Sequence, residues 1–263
     1  MIYFKSIENR LKDFLKGFNI AMRMRKKKNC GARMERCSDI RITDPEAHKG
    51  HWSEVFGNDN PIHIEIGCGK GSFIRGMAQQ HPDINFIAVE KVQDVIVMAM
   101  EKVKEAELTN VVFMDIDAER LPDIFEQGEI KRIYLNFSDP WKKSRQAKRR
   151  LTHKVFLDRY KQVLNNGDYI WFKTDNKNLF EFSLNSFAQE GYKMENITFD
   201  LHASNFEGNV VTEYEQRFID LGQPIYRVEA VYLGWKDERA LPEAKREVDT
   251  DLEDTDDLDE IDD

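Results

Sequence analysis

A carboxylate, an aromatic ring and a run of cations occur together in the sequence NFSDPWKKSRQAKRR, residues 136–150. Asp139, Pro140 and Trp141 follow a short apolar stretch, and six basic residues follow within nine positions. A carboxylate can accept hydrogen bonds from the edge of a nucleobase, and an aromatic ring can stack on the base or shape its pocket. The cations can hold the neighbouring phosphates. The segment therefore predicts a base pocket joined to a backbone clamp, with Asp139 in the pocket.

The glycine-rich sequence EIGCGKG, residues 65–71, lies between a predicted strand and a predicted helix. Gly67 and Gly69 fit a dinucleotide-binding fingerprint, but Ser72 occupies its sixth position. No Gly-Lys-Ser/Thr sequence follows at P-loop spacing either. What remains is the G-x-G-x-G loop of S-adenosylmethionine-dependent methyltransferases, whose glycines, here including Gly71, let the backbone approach the ligand closely. The glycines alone indicate a cofactor site and a tight turn equally.

Three acidic residues strengthen the cofactor interpretation. Glu65 directly precedes the glycines, and Glu90 ends the next apolar segment. Asp117 ends the third apolar segment. In doubly wound sheets an acid about 20 residues after the glycines meets a ribose diol, and the carboxyl ends of the strands line one crevice. We expect Glu90 to meet the ribose, Asp117 the adenine amino group and Glu65 the ammonium group of the cofactor. A single acid could equally cap a helix.

Weaker signals lie elsewhere. Asp175 ends the fifth apolar segment in KTDN, where an Asx turn or a helix N-cap explains it equally well. Thr212 and Glu215, in TEYE, have the spacing of a capping box. His48 and His51 have no other candidate ligands nearby, so no metal site is predicted.

Apolar segments alternate with helical patterns through most of the chain. Strands are predicted at 62–66, 84–90, 111–117, 132–137 and 168–175, with strand-like runs near 193–201 and 225–235. Helices are predicted after the glycines, across 92–103, over 151–164 and 176–190, and near 213–221. This alternation predicts an α/β fold with a doubly wound, Rossmann-like sheet, mostly parallel with a C-terminal antiparallel strand.

Charge and composition divide the chain into parts. The formal net charge is −9, but residues 249–263 contain ten acidic residues and no basic one. A second basic run, MRMRKKK, occupies residues 22–28, and two cationic clusters suit a polyanion such as RNA. The predicted parts are an N-terminal extension with helical apolar spacing (1–21), a basic segment (22–60), a methyltransferase domain (61–236) and an acidic, disordered tail (237–263).

The cellular setting is predicted from three features. The three cysteines have no paired spacing, no apolar run is long enough to span a membrane, and the N-terminus lacks the apolar core of a signal peptide. We therefore expect a reduced, cytoplasmic protein without a membrane anchor. The sequence leaves both a monomer and a homodimer open.

The motifs IEIGCGKG, AVE, NFSDPWKKSR, RRLT, WFKTDN and TEYEQRF together resemble the bacterial tRNA (guanine(46)-N7)-methyltransferase family. The resemblance extends from about Met22 to Tyr232. It implies a Rossmann-like enzyme that transfers a methyl group from S-adenosylmethionine to N7 of a guanine in the tRNA variable loop. Lys142 departs from the family pattern, which commonly has proline there, and residues 1–21 and the acidic tail lie outside the resemblance.

The resemblance also implies roles for individual residues. Glu65, Glu90 and Asp117 resemble the family's cofactor contacts. Asp139 resembles its catalytic residue, which also lies close to the cofactor. The residues that resemble its substrate contacts are Lys143, Asp175, Thr212, Glu213, Tyr214 and Glu215.

Three other classes of function compete with this interpretation. An amino-group methyltransferase is suggested by the loose likeness of Asp139-Pro140-Trp141 to an Asp/Asn-Pro-Pro-aromatic motif, but the second proline is missing. A non-catalytic RNA-binding protein is disfavoured by the intact glycine loop with its acids. A nicotinamide-dependent dehydrogenase is disfavoured by Ser72.

Overall fold

One seven-stranded sheet organises the computed structural model, which describes residues 29–204 and 206–234. The strands are Ile62–Ile66 (β1), Asn85–Val89 (β2), Val111–Met114 (β3), Ile130–Asn136 (β4), Tyr169–Thr174 (β5), Tyr192–Thr198 (β6) and Tyr226–Tyr232 (β7). They lie in the order β3-β2-β1-β4-β5-β7-β6. The first five strands pair in parallel, and β7 runs antiparallel to both β5 and β6. The predicted α/β fold is therefore confirmed, including its C-terminal antiparallel strand.

Helices connect most of the strands. The α-helices of the described residues are Cys30–Glu35 (α1), Trp52–Phe56 (α2), Ser72–Gln80 (α3), Gln93–Glu105 (α4), Leu121–Ile124 (α5), Lys154–Tyr160 (α6), Lys177–Gln189 (α7) and Glu213–Asp220 (α8). Short 3-10 helices occur at Ser38–Ile40, Pro45–His48, Ala118–Arg120 and Ser144–Arg149. The predicted N-terminal helix, the 22–28 basic run and the acidic tail lie outside the described residues.

Burial on both faces of the sheet explains why its central strands are almost entirely apolar. Every residue of β1, β2 and β3 is buried. In β4, Ile133 and Leu135 enter one hydrophobic cluster while Tyr134 between them enters the other. Because helices cover both faces of a parallel sheet, its strands need no polar side.

The helix predicted over 151–164 is shorter in the structure. It begins at Lys154, after His153, whose Nδ1 accepts a hydrogen bond from the Val155 backbone N–H at 3.2 Å and caps the helix. Leu151 and Leu164 still contact the core, but from turns on either side. Apolar spacing therefore predicted which residues are buried and misplaced the helix ends.

The basic segment predicted over 22–60, for which no helix was predicted, contains α1 and α2 in its described part. Trp52 of α2 is 1% exposed, and its indole N–H donates to the Ile124 carbonyl at 3.1 Å. The Arg41 guanidinium donates two hydrogen bonds to the Asp115 carboxylate, each 3.0 Å long. Such short helices are stabilised by tertiary contacts, which local periodicity does not encode.

The order of the strands determines where a ligand can bind. β1 lies between β2 and β4. From β1 the chain first adds β2 and β3 on one side and then β4 and β5 on the other, so the strand order reverses at β1. In such sheets the ligand crevice lies beyond the carboxyl ends of the strands at this switch point. The glycine loop follows β1, Glu90 follows β2, Asp117 follows β3 and Asp139 follows β4.

Candidate active site

A cavity of about 760 Å³ lies at this edge of the sheet. Four residues predicted for the site line it, namely Gly67, Glu90, Asp117 and Asp139. Trp141 and the basic Lys148 and Arg149 line it too, together with the apolar Ile66, Val89, Ile116 and Phe156. The lining is about equally polar and apolar, and the volume is in the range typical of small-molecule sites. The structure thus brings residues from Ile66 to Phe156 together in one cavity.

The three glycines of the loop have different surroundings. Gly67 has a φ of +79° and lines the cavity, and a Cβ placed on it would meet nothing within 4 Å. Gly69 has a φ of +55°, and its N–H donates to the Glu90 carboxylate at 3.3 Å. Neither Gly69 nor Gly71 is among the lining residues, and a Cβ on Gly71 would lie 2.5 Å from the Cβ of Ala99. The lack of a side chain at Gly71 permits the loop to pack on α4.

Backbone groups fix the orientation of Glu90. One carboxylate oxygen accepts the Gly69 N–H and the other accepts the Val92 N–H at 3.0 Å. Each carboxylate oxygen can accept further hydrogen bonds, so the group remains able to bind a diol.

Asp117 is held in a similar way. Its side chain is the N-cap of the following 3-10 helix and accepts the Glu119 N–H at 3.1 Å. The N-cap explanation and the predicted ligand role are therefore compatible, since the exposed Asp117 also lines the cavity.

Glu65 is buried and does not line the cavity, in contrast to Glu90 and Asp117, the other two acids predicted to bind the cofactor. Its Oε1 accepts a hydrogen bond from the Asn136 amide at 2.9 Å, and its Oε2 has no partner among the described residues. Burial raises the pKa of Glu65 to about 7, although the Asn136 hydrogen bond and the positive charge of Lys173 act in the opposite direction. A buried carboxylate oxygen without a partner is costly, so a proton or a ligand cation would stabilise it.

The loop that carries Asp139, residues 137–141, has an unusual backbone. Phe137 and Trp141 have φ values of +52° and +41°, in the left-handed region that side chains disfavour. The Arg150 guanidinium holds the loop by donating to the carbonyls of Pro140 at 3.0 Å and Trp141 at 3.1 Å. Asp139 is exposed at the cavity wall in consequence. We call residues 137–141 the Asp139 loop.

Helix α8 lies beside the Asp139 loop and carries most of the predicted substrate residues. The Tyr214 ring lies 4.9 Å from the Phe137 ring, and its hydroxyl donates to Asp175 at 3.5 Å. Burial raises the pKa of Asp175, while its own backbone and Tyr214 oppose the shift through hydrogen bonds. Thr212 caps the helix by accepting the Glu215 N–H at 3.0 Å, and the exposed Glu213 pairs with Lys102 at 3.1 Å.

Two predicted substrate residues are not arranged as expected for direct contact at the cavity. Glu215 is 0% exposed and its carboxylate pairs with Lys173 at 2.6 Å, so it faces inward. Only one half of the predicted capping box forms: Thr212 accepts the Glu215 N–H, whereas the Glu215 carboxylate bonds Lys173 and Asn209. Lys143 is exposed and lies outside the cavity lining, on the basic segment that follows Asp139.

Several residues of the site were not singled out from the sequence. Ser138 lines the cavity beside Asp139, and its hydroxyl has no partner among the described residues. Asn136 links the cavity to Glu65, and Arg150 stabilises the Asp139 loop. The position of Asn136 and Ser138 next to Asp139 was the available signal.

Within the part of the chain that the structure describes, no three His, Cys, Asp or Glu side chains are grouped so as to hold a metal ion. No described helix has the length and apolar character required to cross a membrane.

The fold is that of the Rossmann-like methyltransferases. A solved 16S rRNA methyltransferase superimposes with a TM-score of 0.53 at 14% sequence identity, over 70% of this chain and 93% of that chain. A family model described as a putative methyltransferase matches residues 59–228.

Two bacterial relatives are much more similar in sequence. The tRNA (guanine-N(7)-)-methyltransferase of Bacillus subtilis is 55% identical over 79% of this chain and 98% of its own length. That of Streptococcus pneumoniae is 51% identical over 80% of this chain and 100% of its own length. The chain belongs to the tRNA (guanine-N(7)-)-methyltransferase family.

Proposed function

We propose that the protein transfers the methyl group of S-adenosylmethionine to N7 of guanine 46, in the variable loop of tRNA. The observation that carries the proposal is the single cavity lined by Glu90, Asp117 and Asp139, with Trp141 and Arg149 on the same wall. It offers acids for a nucleoside-containing donor on one side and a pocket for a base on the other. A tRNA substrate also supports the cytoplasmic location that the sequence predicts.

The residues of the cavity fit the donor. Glu90, fixed by two backbone N–H groups, would accept hydrogen bonds from the ribose hydroxyls. Asp117 would accept one from the adenine amino group, and Gly67 leaves room for close approach because a Cβ placed on it would meet no atom within 4 Å. Glu65 lies behind the cavity lining, and its second oxygen, which has no hydrogen-bond partner among the described residues, would attract the ammonium group of the methionine part from there. When bound, the donor supplies an electrophilic methyl group on a sulfonium.

The chemistry of guanine explains why no catalytic histidine or cysteine is needed. N7 carries an in-plane lone pair and no proton, so no general base has to activate it. Methylation leaves positive charge on the purine. The Asp139 carboxylate, accepting hydrogen bonds from N1–H and the exocyclic amine, would stabilise that charge more in the transition state than in the ground state. The remaining contribution is alignment of N7 with the methyl group and the sulfur.

The surroundings of the cavity suit an RNA backbone. Arg149 lies over the Trp141 ring at 4.9 Å, and the exposed Lys142, Lys143 and Lys148 extend the same basic surface. Such cations would bind phosphates and orient the guanine without reading the sequence. Tyr214 and Asp175 would border the base from the side of α8.

The test is incubation of the purified protein with labelled methyl donor and an unmodified tRNA transcript, followed by strand cleavage specific for N7-methylguanine. We expect one cleavage site, at position 46, and no cleavage in a transcript with adenine at that position. Incorporation at an exocyclic amine would favour an amino-group methyltransferase. A protein that binds tRNA but no donor in calorimetry would be a non-catalytic RNA-binding protein.

A further inference from the structure

A buried ion pair joins β5 to α8 next to the Asp139 loop. Lys173 Nζ lies 2.6 Å from Glu215 Oε2, and the two side chains are 5% and 0% exposed. Nζ also donates to Asn209 Oδ1 at 2.9 Å and to the Val210 carbonyl at 3.2 Å. An ammonium group has three protons to donate, so every one of them is used. The position of the Lys173 head group is therefore fixed in three directions.

The carboxylate of Glu215 is bound equally firmly. Its second oxygen accepts a hydrogen bond from the Asn209 amide at 2.7 Å. The backbone N–H of Glu215 is capped by Thr212. The pair thus attaches the first turn of α8, and the segment before it, to the middle of the sheet.

Lys173 also contacts the Asp139 loop. Its backbone carbonyl accepts the Phe137 N–H at 2.9 Å, and its ammonium lies 5.5 Å from the centre of the Phe137 ring. It is the register partner of Asn136 across β4 and β5. One residue therefore bonds to the start of the Asp139 loop through its main chain and to α8 through its side chain.

Stability alone does not account for such a pair. Desolvation of two buried charges often cancels their attraction, and well-packed apolar residues of similar size can be as stable. What the charged pair provides is directional bonding. It sets the position of α8 at which Tyr214 meets both the Phe137 ring and Asp175.

We propose that Lys173 is a positioning residue for the guanine pocket, which holds α8 and the Asp139 loop at a fixed separation. The inference rests on the proposed function, because it concerns the site at which the tRNA base would bind. Loss of the ammonium leaves the Glu215 carboxylate buried without its cation, so the first turn of α8 moves out toward water. Tyr214 then loses its contacts with Phe137 and Asp175, whereas Glu90 and Asp117 keep their backbone hydrogen bonds.

The test compares Lys173→Met with a matched control, Lys161→Met. Lys161 forms a similar pair with Glu190 at 2.7 Å, with the side chains 14% and 11% exposed, and neither residue lines the cavity. Each variant is assayed at a temperature at which it is fully folded. The measurements are the donor Kd by calorimetry, kcat and KM for a tRNA transcript, and amide hydrogen exchange of residues 213–220.

We expect Lys173→Met to lower kcat/KM for tRNA by about tenfold to 100-fold, since a misplacement of about 1 Å can cost that much. The donor Kd should change less than kcat/KM for tRNA, because Lys173 acts on the donor side only through its charge near Glu65, and the amides of α8 should exchange faster. Lys161→Met should lower the unfolding midpoint but leave all these values as in the wild type. If Lys173→Met does not fold, Lys173→Gln, which keeps a shorter hydrogen-bond donor, replaces it.

Equal tRNA kinetics in the two variants, or unchanged exchange in α8, would overturn the positioning role. Failure of the proposed function is distinguishable, because the wild type would then methylate no tRNA. In that case hydrogen exchange and direct tRNA binding by Lys173→Met still decide whether the pair positions α8.

Discussion

Asp139 is exposed at the cavity wall on a loop whose shape depends on other residues. Two left-handed residues flank it, and Arg150 ties the following carbonyls together. Backbone conformations of this kind cost about 1–3 kcal/mol each and persist where the surroundings enforce them. The loop thus presents a carboxylate whose position is set in advance, as electrostatic stabilisation of a transition state requires.

The substitution Asp139→Asn tests whether this single carboxylate stabilises the transition state. The amide keeps the size of the side chain but loses the negative charge, so we expect kcat for tRNA methylation to fall by about 100-fold. The donor Kd should remain as in the wild type, because the substitution leaves Glu90 and Asp117 intact. Asp123→Asn, at an exposed position outside the cavity lining, serves as the control. Unchanged turnover in Asp139→Asn would contradict a catalytic role.

Glu65 makes stability depend on pH. Its folded pKa of about 7 exceeds the ordinary value of 4.5, so the folded state binds the proton more tightly. The resulting stabilisation is fully present below pH 4.5 and is lost as the pH rises through 7. At about 1.4 kcal/mol per pKa unit, the loss is about 3 kcal/mol.

We therefore expect the unfolding free energy of the wild type minus that of Glu65→Gln to fall by about 3 kcal/mol from pH 4 to pH 8 in the absence of donor. Glutamine stays neutral throughout, so it does not incur the cost of a buried negative charge. Urea denaturation across this pH range measures the difference. Glu105→Gln, at an exposed position, should follow the wild-type curve. Parallel curves for wild type and Glu65→Gln would show that the group ionises as in water.

At the scale of elements, the glycine loop serves two functions. Gly67 faces the cavity, while Gly71 lets the loop lie against α4. Both have positive φ values, so both favour glycine for their backbone, but they differ in the space around them. The sequence motif alone does not distinguish these two requirements.

The variants Gly67→Ala and Gly71→Ala distinguish the cost of backbone strain from the cost of a steric contact. Gly67→Ala meets only the left-handed penalty of about 1–2 kcal/mol. Gly71→Ala adds a Cβ that lies 2.5 Å from the Ala99 Cβ, so it should cost about 1–3 kcal/mol more. Chemical denaturation of the two variants measures the difference. The double variant Gly71→Ala/Ala99→Gly should regain part of the loss, and equal stabilities of the two single variants would refute the packing argument.

At the scale of the whole molecule, the charges are unevenly distributed. The basic surface after Asp139 lies beside the cavity, whereas the acidic run at 249–263 and the basic run at 22–28 lie outside the described residues. A polyanionic segment on the same chain competes with nonspecific RNA for a cationic face. Specific contacts to one guanine would be less affected.

Deletion of residues 249–263 should therefore weaken discrimination between tRNA and an unrelated RNA of equal length. We expect the affinity for the unrelated RNA to rise by about tenfold at low ionic strength, because long-range electrostatics act at that scale. The rate of tRNA methylation at saturation should not change. Competition binding at two salt concentrations measures the effect, and identical selectivity with and without the tail would remove the idea.

The sequence by itself determined the order in which strands and helices follow one another along the chain, and it identified acids of the cavity. β1 to β5 are short apolar segments, and Glu90, Asp117 and Asp139 follow three of them. Local patterns encode such features, because burial on both faces requires apolar residues and parallel strands end at one edge. Family motifs added the chemistry, including the guanine and the donor.

Only the tertiary structure decided which residues of those motifs face the ligand. Glu215 turns inward to Lys173, which is 42 positions away, and Gly71 packs on Ala99 rather than facing the cavity. Burial raises the pKa of Glu65, and a hydrogen bond from Asn136, 71 positions away, opposes that shift. The physical reason is that burial, ion pairing and steric contact depend on residues distant in the chain, and neither spacing nor composition records their separation in space.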